Sequence, residues 1–271
     1  MLNPDQERLL SELFPNIATQ LRGALANLHL AAASLAPADQ RERDPALDAR
    51  AAIFDQSYYQ ILRLVSNLNA TITFAEDAPL PVQDLDVVQI VRDHCEACFF
   101  LAKLKQIELR FLCREASHIS AVNQQALTLV LQQLLSNALK FTKEGHITVE
   151  LRFSNGRMRL SVADTGCGIS DELFPTLFDR YAHADLINPP PHGLGLGLPL
   201  CRRIADRLGG AIMAESRAGI GTKITCSFPD TRCGILAVHE PGVDYAGGFN
   251  PTLLGLADAL PQEAFLLRSQ E

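Results

Sequence analysis

Several features are missing from the sequence, and each absence removes a class of function. No run approaches the roughly 18 uninterrupted apolar residues of a membrane-spanning helix. The nearest, Leu28 to Ala36, is short and carries His29 and Ser34. The amino-terminal MLNPDQERLL has acids where a secretory leader has basic residues and a long apolar run, so no leader is expected. Positive charge is scarce. Lys and Arg total 24 against 31 Asp and Glu, a net charge of −7, which argues against a nucleic-acid binder held by phosphate contacts. A cysteine framework is also lacking, since the seven cysteines are odd in number and scattered, as reduced thiols would be. Cys95 and Cys98 make a single CxxC beside His94, but apolar residues surround it and no second pair follows. Buried small side chains on a helix are expected there rather than zinc. These absences together predict a soluble, cytoplasmic protein.

The 271 residues, 47% of them hydrophobic, suffice for one large domain or two ordinary ones. A helical period dominates the first 76 residues. Leu10, Phe14, Ile17, Leu21, Ala24, Leu28, Ala31 and Leu35 alternate at steps of four and three. After APADQRERDP the pattern resumes with Leu47, Ala51, Phe54, Tyr58, Ile61, Val65, Leu68 and Ile72. Two helices of about 45 Å, at about 1.5 Å per residue, cannot cover both apolar seams alone. A four-helix bundle made by two chains is the economical solution. Pro15 implies that the first helix either begins or kinks there.

Residues 78–85 (APLPVQDL) read as a linker. Beyond it the pattern becomes mixed. Helices are expected over 86–105 and 123–141, and strands over 107–113, 146–153, 157–163, 211–216 and 222–228. Ser154-Asn155-Gly156 signals a hairpin between the strands over 146–153 and 157–163. A further helix should run from the glycine-rich stretch to about Leu208, and a short one over 251–260 in a tail with no assigned role.

Three groups of residues carry chemistry. Asp164-Thr165-Gly166-Cys167-Gly168 follows a strand, placing a carboxylate before glycines that let backbone approach a ligand. Gly193, Gly195 and Gly197 open into a helix, where successive N–H groups form an anion site. Asn137 and Lys140 lie three apart on one helix face, an amide oxygen for Mg²⁺ beside an ammonium for phosphate. Lys140 is one of only five lysines.

In order, LLSNALKFT (134–142), DTGCGI (164–169), LFDRY (177–181), GLGLGLPLCRRIADRLGG (193–210) and GIGT (219–222) resemble the N, G1, F, G2 and G3 boxes of sensor histidine kinases. The resemblance covers roughly residues 84–228. It implies an α+β fold, with a dimerising helical hairpin over 1–77, a linker over 78–85, an α/β-sandwich ATP-binding domain over 86–230 and a tail over 231–271. By position, Asp164 would bond the adenine amino group, with Gly166 and Gly168 allowing the approach and Thr222 nearby. Asn137 and Gln133 would ligate Mg²⁺, and Lys140, Gly193, Gly195 and Gly197 would hold phosphates. Phe178 would anchor a lid over 180–193. Gln133 stands where the family often has a second asparagine, and His183 where it often has a basic residue.

The resemblance extends to the hairpin, where Asn16 to Leu25 aligns with the family's phosphoacceptor box through Leu21, Arg22 and Leu25. There Thr19 replaces the phosphoacceptor histidine and Gln20 its acidic neighbour. Threonine forms no phosphoimidazole and glutamine is no general base. His29 reads as an ordinary polar or partly buried residue. The expectation is an ATP·Mg²⁺-binding homodimer of phosphorelay signalling with autophosphorylation lost or altered. Two alternatives stand beside it: a non-catalytic module that captures a response regulator or partner kinase, and a serine/threonine protein kinase.

Overall fold

The computed structural model describes residues 4–74, 79–179, 195–237 and 250–267, with side chains omitted for residues 4–12 and for Phe14. Helix α1 (Pro4–Leu35) turns through the short α2 (Ala38–Arg43) into α3 (Pro45–Thr73). Helix α1 runs through Pro15 rather than starting at it. The expected polar loop therefore contains a helix of its own. Asp44 caps α3 by accepting from the N–H groups of Ala46 and Leu47, with Pro45 preset for the first turn. Arg41 on α2 donates to Asp48 at 2.8 Å and to Asp55 at 2.9 Å, tying the turn to α3.

The two faces of the hairpin differ from the single seam that the periodicity suggests. Ala18 and Leu25 are buried on α1, as are Tyr58, Leu62 and Val65 on α3. Leu21, Leu28 and Leu35, counted in the expected seam, are 47, 58 and 81% exposed. Ile17 on α1 and Ile53, Ile61 and Leu64 on α3 are exposed as well. Leu10 and Phe14 lie outside the described side chains. The hairpin thus buries alanine, aromatic and some branched aliphatic side chains and leaves other leucines and isoleucines exposed.

Strand β1 (Gln83–Asp86) forms within the expected linker and pairs antiparallel with β3 (Ile119–Val122). Between them lie α4 (Val87–Leu104), capped by Asp86, and β2 (Ile107–Cys113). Then follow α5 (Gln124–Phe141), β4 (Gly145–Ser154), β5 (Arg157–Asp164), α6 (Gly197–Arg207), β6 (Ala211–Arg217) and β7 (Gly221–Pro229). The five-stranded sheet has the order β2-β4-β5-β7-β6, with β2 parallel to β4 and every other pair antiparallel. Asn155 and Gly156 both adopt positive φ between β4 and β5, as a two-residue hairpin turn requires. Ile147, Val149 and Leu151 of β4 and Met158, Leu160 and Val162 of β5 supply one buried face. Leu131, Leu134, Leu135 and Leu139 of α5 join the same core. Cys95 and Cys98 are fully buried on α4, and burial pushes the Cys98 thiol up to about 12. All seven cysteines are free thiols. Among the described residues, no helix is long and apolar enough to cross a membrane.

The tail returns to the hairpin. Helix α7 (Pro251–Leu256) is capped by Asn250, whose N–H donates to the Tyr59 hydroxyl at 3.1 Å. The chain then turns through a 3-10 segment, Gln262–Phe265. Leu253, Leu256, Leu260 and Phe265 are buried in the common core, Phe265 completely. Gln56 and Gln262 donate to the Leu260 and Ala49 carbonyls across this junction, and Arg41 donates to the Phe265 carbonyl at 3.2 Å.

Candidate functional site

A cavity of about 950 Å³ opens where α5, the start of α6, the ends of β5 and β7 and one side of α3 meet. Helix α5 brings Gln133, Asn137 and Lys140 to its wall. Asn137 and Lys140 are both half-buried. Burial pulls the Lys140 ammonium below its ordinary value, Asp258 raises it and Arg63 lowers it.

Asp164 ends β5 and also lines the cavity. Burial lifts its carboxyl pKa, while hydrogen bonds from the backbone of Gly166 and Thr222 pull it back. The Gly166 N–H donates to Asp164 Oδ1 at 2.9 Å, fixing the carboxylate's orientation. Thr222 stands opposite Asp164 in the β5–β7 register and lines the same wall. Gly221 allows this pairing, because a Cβ there would sit 2.0 Å from the Asp164 carbonyl oxygen.

The expected residues do not all serve alike. Asn137, Lys140, Asp164, Gly168, Gly195, Gly197 and Thr222 converge on the cavity. Gly168 has φ of +66°, and its Cβ would strike the Arg217 carbonyl. Gly166 instead backs onto α5, where a Cβ would meet the Phe141 carbonyl oxygen at 2.4 Å. Phe178 is half-buried beside the wall, to which its neighbour Leu177 contributes. Gly193, His183 and the lid expected over 180–193 lie outside the described residues.

Gln133 lines the cavity too, and it is also tied to the hairpin. Its Oε1 accepts from Arg63 Nη2 at 3.3 Å, and its Nε2 donates to Asn67 Oδ1 at 2.7 Å. The carbonyl expected to reach Mg²⁺ thus accepts one hydrogen bond from the hairpin. Asn137 offers a neutral amide oxygen at the wall, which fits a Mg²⁺ held mainly by phosphates and water.

Sequence reasoning missed the contribution of α3 and the tail. Ser57, Gln60, Arg63 and Asn67 of α3 and Asp258 of the tail line the cavity. A charged residue within the buried stripe of α3 was the available signal at Arg63, but it carried no direction. In the expected phosphoacceptor segment, Thr19 is exposed and its hydroxyl donates to the Pro15 carbonyl at 2.8 Å. Gln20 is exposed beside it. His29 stacks on Tyr58 at 4.6 Å between ring centres, with Nδ1 3.8 Å from Asp55 Oδ1.

Residues 122–232 match the family described as histidine kinase-, DNA gyrase B- and HSP90-like ATPase. The sensor protein EvgS of Escherichia coli O157:H7 is 32% identical over 156 residues, covering 55% of this chain and 13% of that protein. The sensor protein DivL of Caulobacter vibrioides is 28% identical over 233 residues, covering 84% of this chain and 29% of DivL. The chain therefore spans less than a third of either relative. The crystal structure of full-length ShkA in complex with AMPPNP superposes with a TM-score of 0.65 at 25% identity, covering 86% of this chain and 47% of ShkA. The Acinetobacter baumannii histidine kinase AdeS shares the fold, with a TM-score of 0.52 at 19% identity over 69% of this chain and 85% of AdeS.

Proposed function

Because the chain belongs to the sensor histidine kinase family of two-component signalling and carries that family's ATPase-type domain, we propose that the α5–β5–α6 cavity binds ATP with Mg²⁺. The observation that carries this reading is Asp164: a carboxylate raised in pKa by burial, oriented by the Gly166 N–H, at the wall of a 950 Å³ cavity. Such a group accepts a hydrogen bond from an exocyclic amine, which is how adenine would be selected. Lys140 and the N–H groups at Gly195 and at Gly197, where α6 opens, would hold the phosphates, and the family's pattern assigns Gly193 the same role. Asn137 would hold the Mg²⁺, which supplies charge neutralisation at the phosphates when bound.

The exposed face of α1 and α3 supports a homodimer through a four-helix bundle. A response regulator or a second kinase would be the partner in signalling. Thr19 and Gln20 offer neither an imidazole nor a base, and His29 is stacked inside the hairpin. Nucleotide binding without ordinary histidine autophosphorylation follows, and the protein works as a nucleotide-controlled docking module. The test is calorimetry with Mg·ATP on the wild type and Asp164→Asn, followed by phosphosite mapping after incubation. Tight binding lost in Asp164→Asn, with no phosphohistidine, is the expected result. Unchanged affinity in that variant overturns the site, and acid-labile phosphate on His29 overturns the loss of autophosphorylation. Acid-stable phosphate at Thr19, absent from Thr19→Ala, would mark a hydroxyl kinase instead.

A further inference from the structure

Arg63 sits in the middle of α3, 5% exposed, with its guanidinium at the cavity wall. Burying this cation is costly unless its donors are used. Nη2 donates to Gln133 at 3.3 Å, and Nε lies 3.5 Å from Asp258 Oδ2 as a loose ion pair. Nη1 has no hydrogen-bond partner among the described residues. Arg63 lines the cavity while its unpartnered donor is sealed from solvent, and a planar fork with an unspent donor is suited to the oxygens of a phosphate.

Two further sources of positive potential reach the same wall. Lys140 feels the charges of both Arg63 and Asp258. The start of α6 comes equally close: a Cβ on Gly197 would lie 2.9 Å from Gln133 Oε1, the atom that receives the Arg63 bond. Helix α6 has 11 residues and no side-chain cap at its first turn, so its opening N–H groups remain available to an anion. The cavity lining thus carries two cations, Arg63 and Lys140, two carboxylates, Asp164 and Asp258, and the N-terminus of α6. Burial pulls the guanidinium pKa down and Asp258 pulls it up, yet arginine remains charged at neutral pH.

We propose that Arg63 is a phosphate ligand supplied to the nucleotide cavity by the hairpin, reading the terminal phosphate of a nucleoside triphosphate. This inference rests on the reading of the cavity as an ATP site. Its consequence is mechanical. A triphosphate bridges α3 to α6 through Arg63, whereas a nucleotide lacking the terminal phosphate leaves that bridge unmade. Nucleotide state is thereby transmitted to the helical hairpin without any transfer chemistry.

The experiment titrates the full chain calorimetrically with Mg·AMPPNP, ADP and adenosine, for the wild type, Arg63→Gln and Asp258→Asn, with thermal melts as a folding control. Arg63→Gln should weaken AMPPNP roughly tenfold or more, the worth of one charged hydrogen bond, with ADP and adenosine nearly unchanged. Equal weakening of all three ligands, or none, overturns the proposal and leaves a purely structural ion pair. Should Arg63→Gln fail to fold, Asp258→Asn decides. Removing the carboxylate that competes for the guanidinium should tighten AMPPNP and leave adenosine unchanged, and weaker or unaltered AMPPNP binding overturns the proposal. A wild type that binds neither AMPPNP nor adenosine removes the nucleotide reading itself, and this inference with it.

Discussion

Asn67 on α3 accepts a 2.7 Å hydrogen bond at its Oδ1 from Nε2 of Gln133 on α5. Gln133 is 4% exposed, so the bond is a buried polar tie between the hairpin and the helix that carries Asn137 and Lys140. Asn67→Ala strands the Gln133 amide, and the expected cost is about 1–3 kcal/mol of unfolding free energy. Urea denaturation measures it. A change within a few tenths of a kcal/mol would show that the tie contributes nothing net.

Phe265 is fully buried where the tail meets α3 and α4. Phe265→Ala removes a large side chain from a site closed by Tyr59 and Arg41. The expected loss is about 3–5 kcal/mol, read as a lower denaturation midpoint. A loss comparable to that of an exposed residue would mean that the tail does not dock in solution.

The Nε2 of His94 on α4 is sealed from solvent and has no hydrogen-bond partner among the described residues, and burial lowers the ring pKa to about 4. In the unfolded chain imidazole titrates near its ordinary value of about 6.5. Between those values the unfolded state takes up a proton that the folded state refuses. This contribution to stability is therefore unchanged above about pH 6.5 and falls, by up to about 1.4 kcal/mol per unit, as the pH drops towards 4. Comparing urea midpoints at pH 7 and 5 for the wild type and His94→Leu isolates it. The variant should lose less stability on acidification, and identical losses would contradict the assignment.

Leu21 and Leu28 project from the outward face of α1, 47 and 58% exposed. Charges placed there by Leu21→Glu and Leu28→Glu should leave the single chain folded, since neither side chain is buried within it. Sedimentation velocity should show the wild type as a dimer and the double variant as a monomer. An unchanged association state would place the interface elsewhere.

Gly221 has φ of +142°, and a Cβ there would stand 2.0 Å from the Asp164 carbonyl oxygen. Gly221→Ala must shift the end of β5 and with it the carboxylate. The expected outcome is weaker adenosine binding in calorimetry with modest loss of stability. Retained affinity would mean that the register around Asp164 is more tolerant than its packing suggests.

Much of the ATPase-type domain was legible because its signals are local. Alternation read the strands β4 and β5, and Asn155-Gly156 read the turn between them. The glycine pairs and Asp164 announced the cavity because close backbone approach demands residues without a Cβ. Strands β1 and β3 escaped notice, each being only four residues long. Their pairing depends on partners that no local pattern reveals. The parallel pairing of β2 with β4 was equally invisible, because a crossover through β3 and α5 leaves no mark in either strand.

The sequence by itself determined where the longer helices and strands of the ATPase-type domain lie, which glycines and which carboxylate could meet a ligand, and that the hairpin carried more apolar surface than one pair of helices can hide. These depend on the side-chain period, capping chemistry and the missing Cβ, which act within a few residues. Only the tertiary structure decided that Leu21 and Leu28 face outward while Ala18 and Leu25 face α3. It alone drew Gln133 onto Asn67 and Arg63, 66 and 70 residues away in the chain, and set Asp258 of the tail beside that guanidinium. The physical reason is that a buried charge or amide must find partners wherever packing brings them, and that requirement is satisfied through space rather than along the chain.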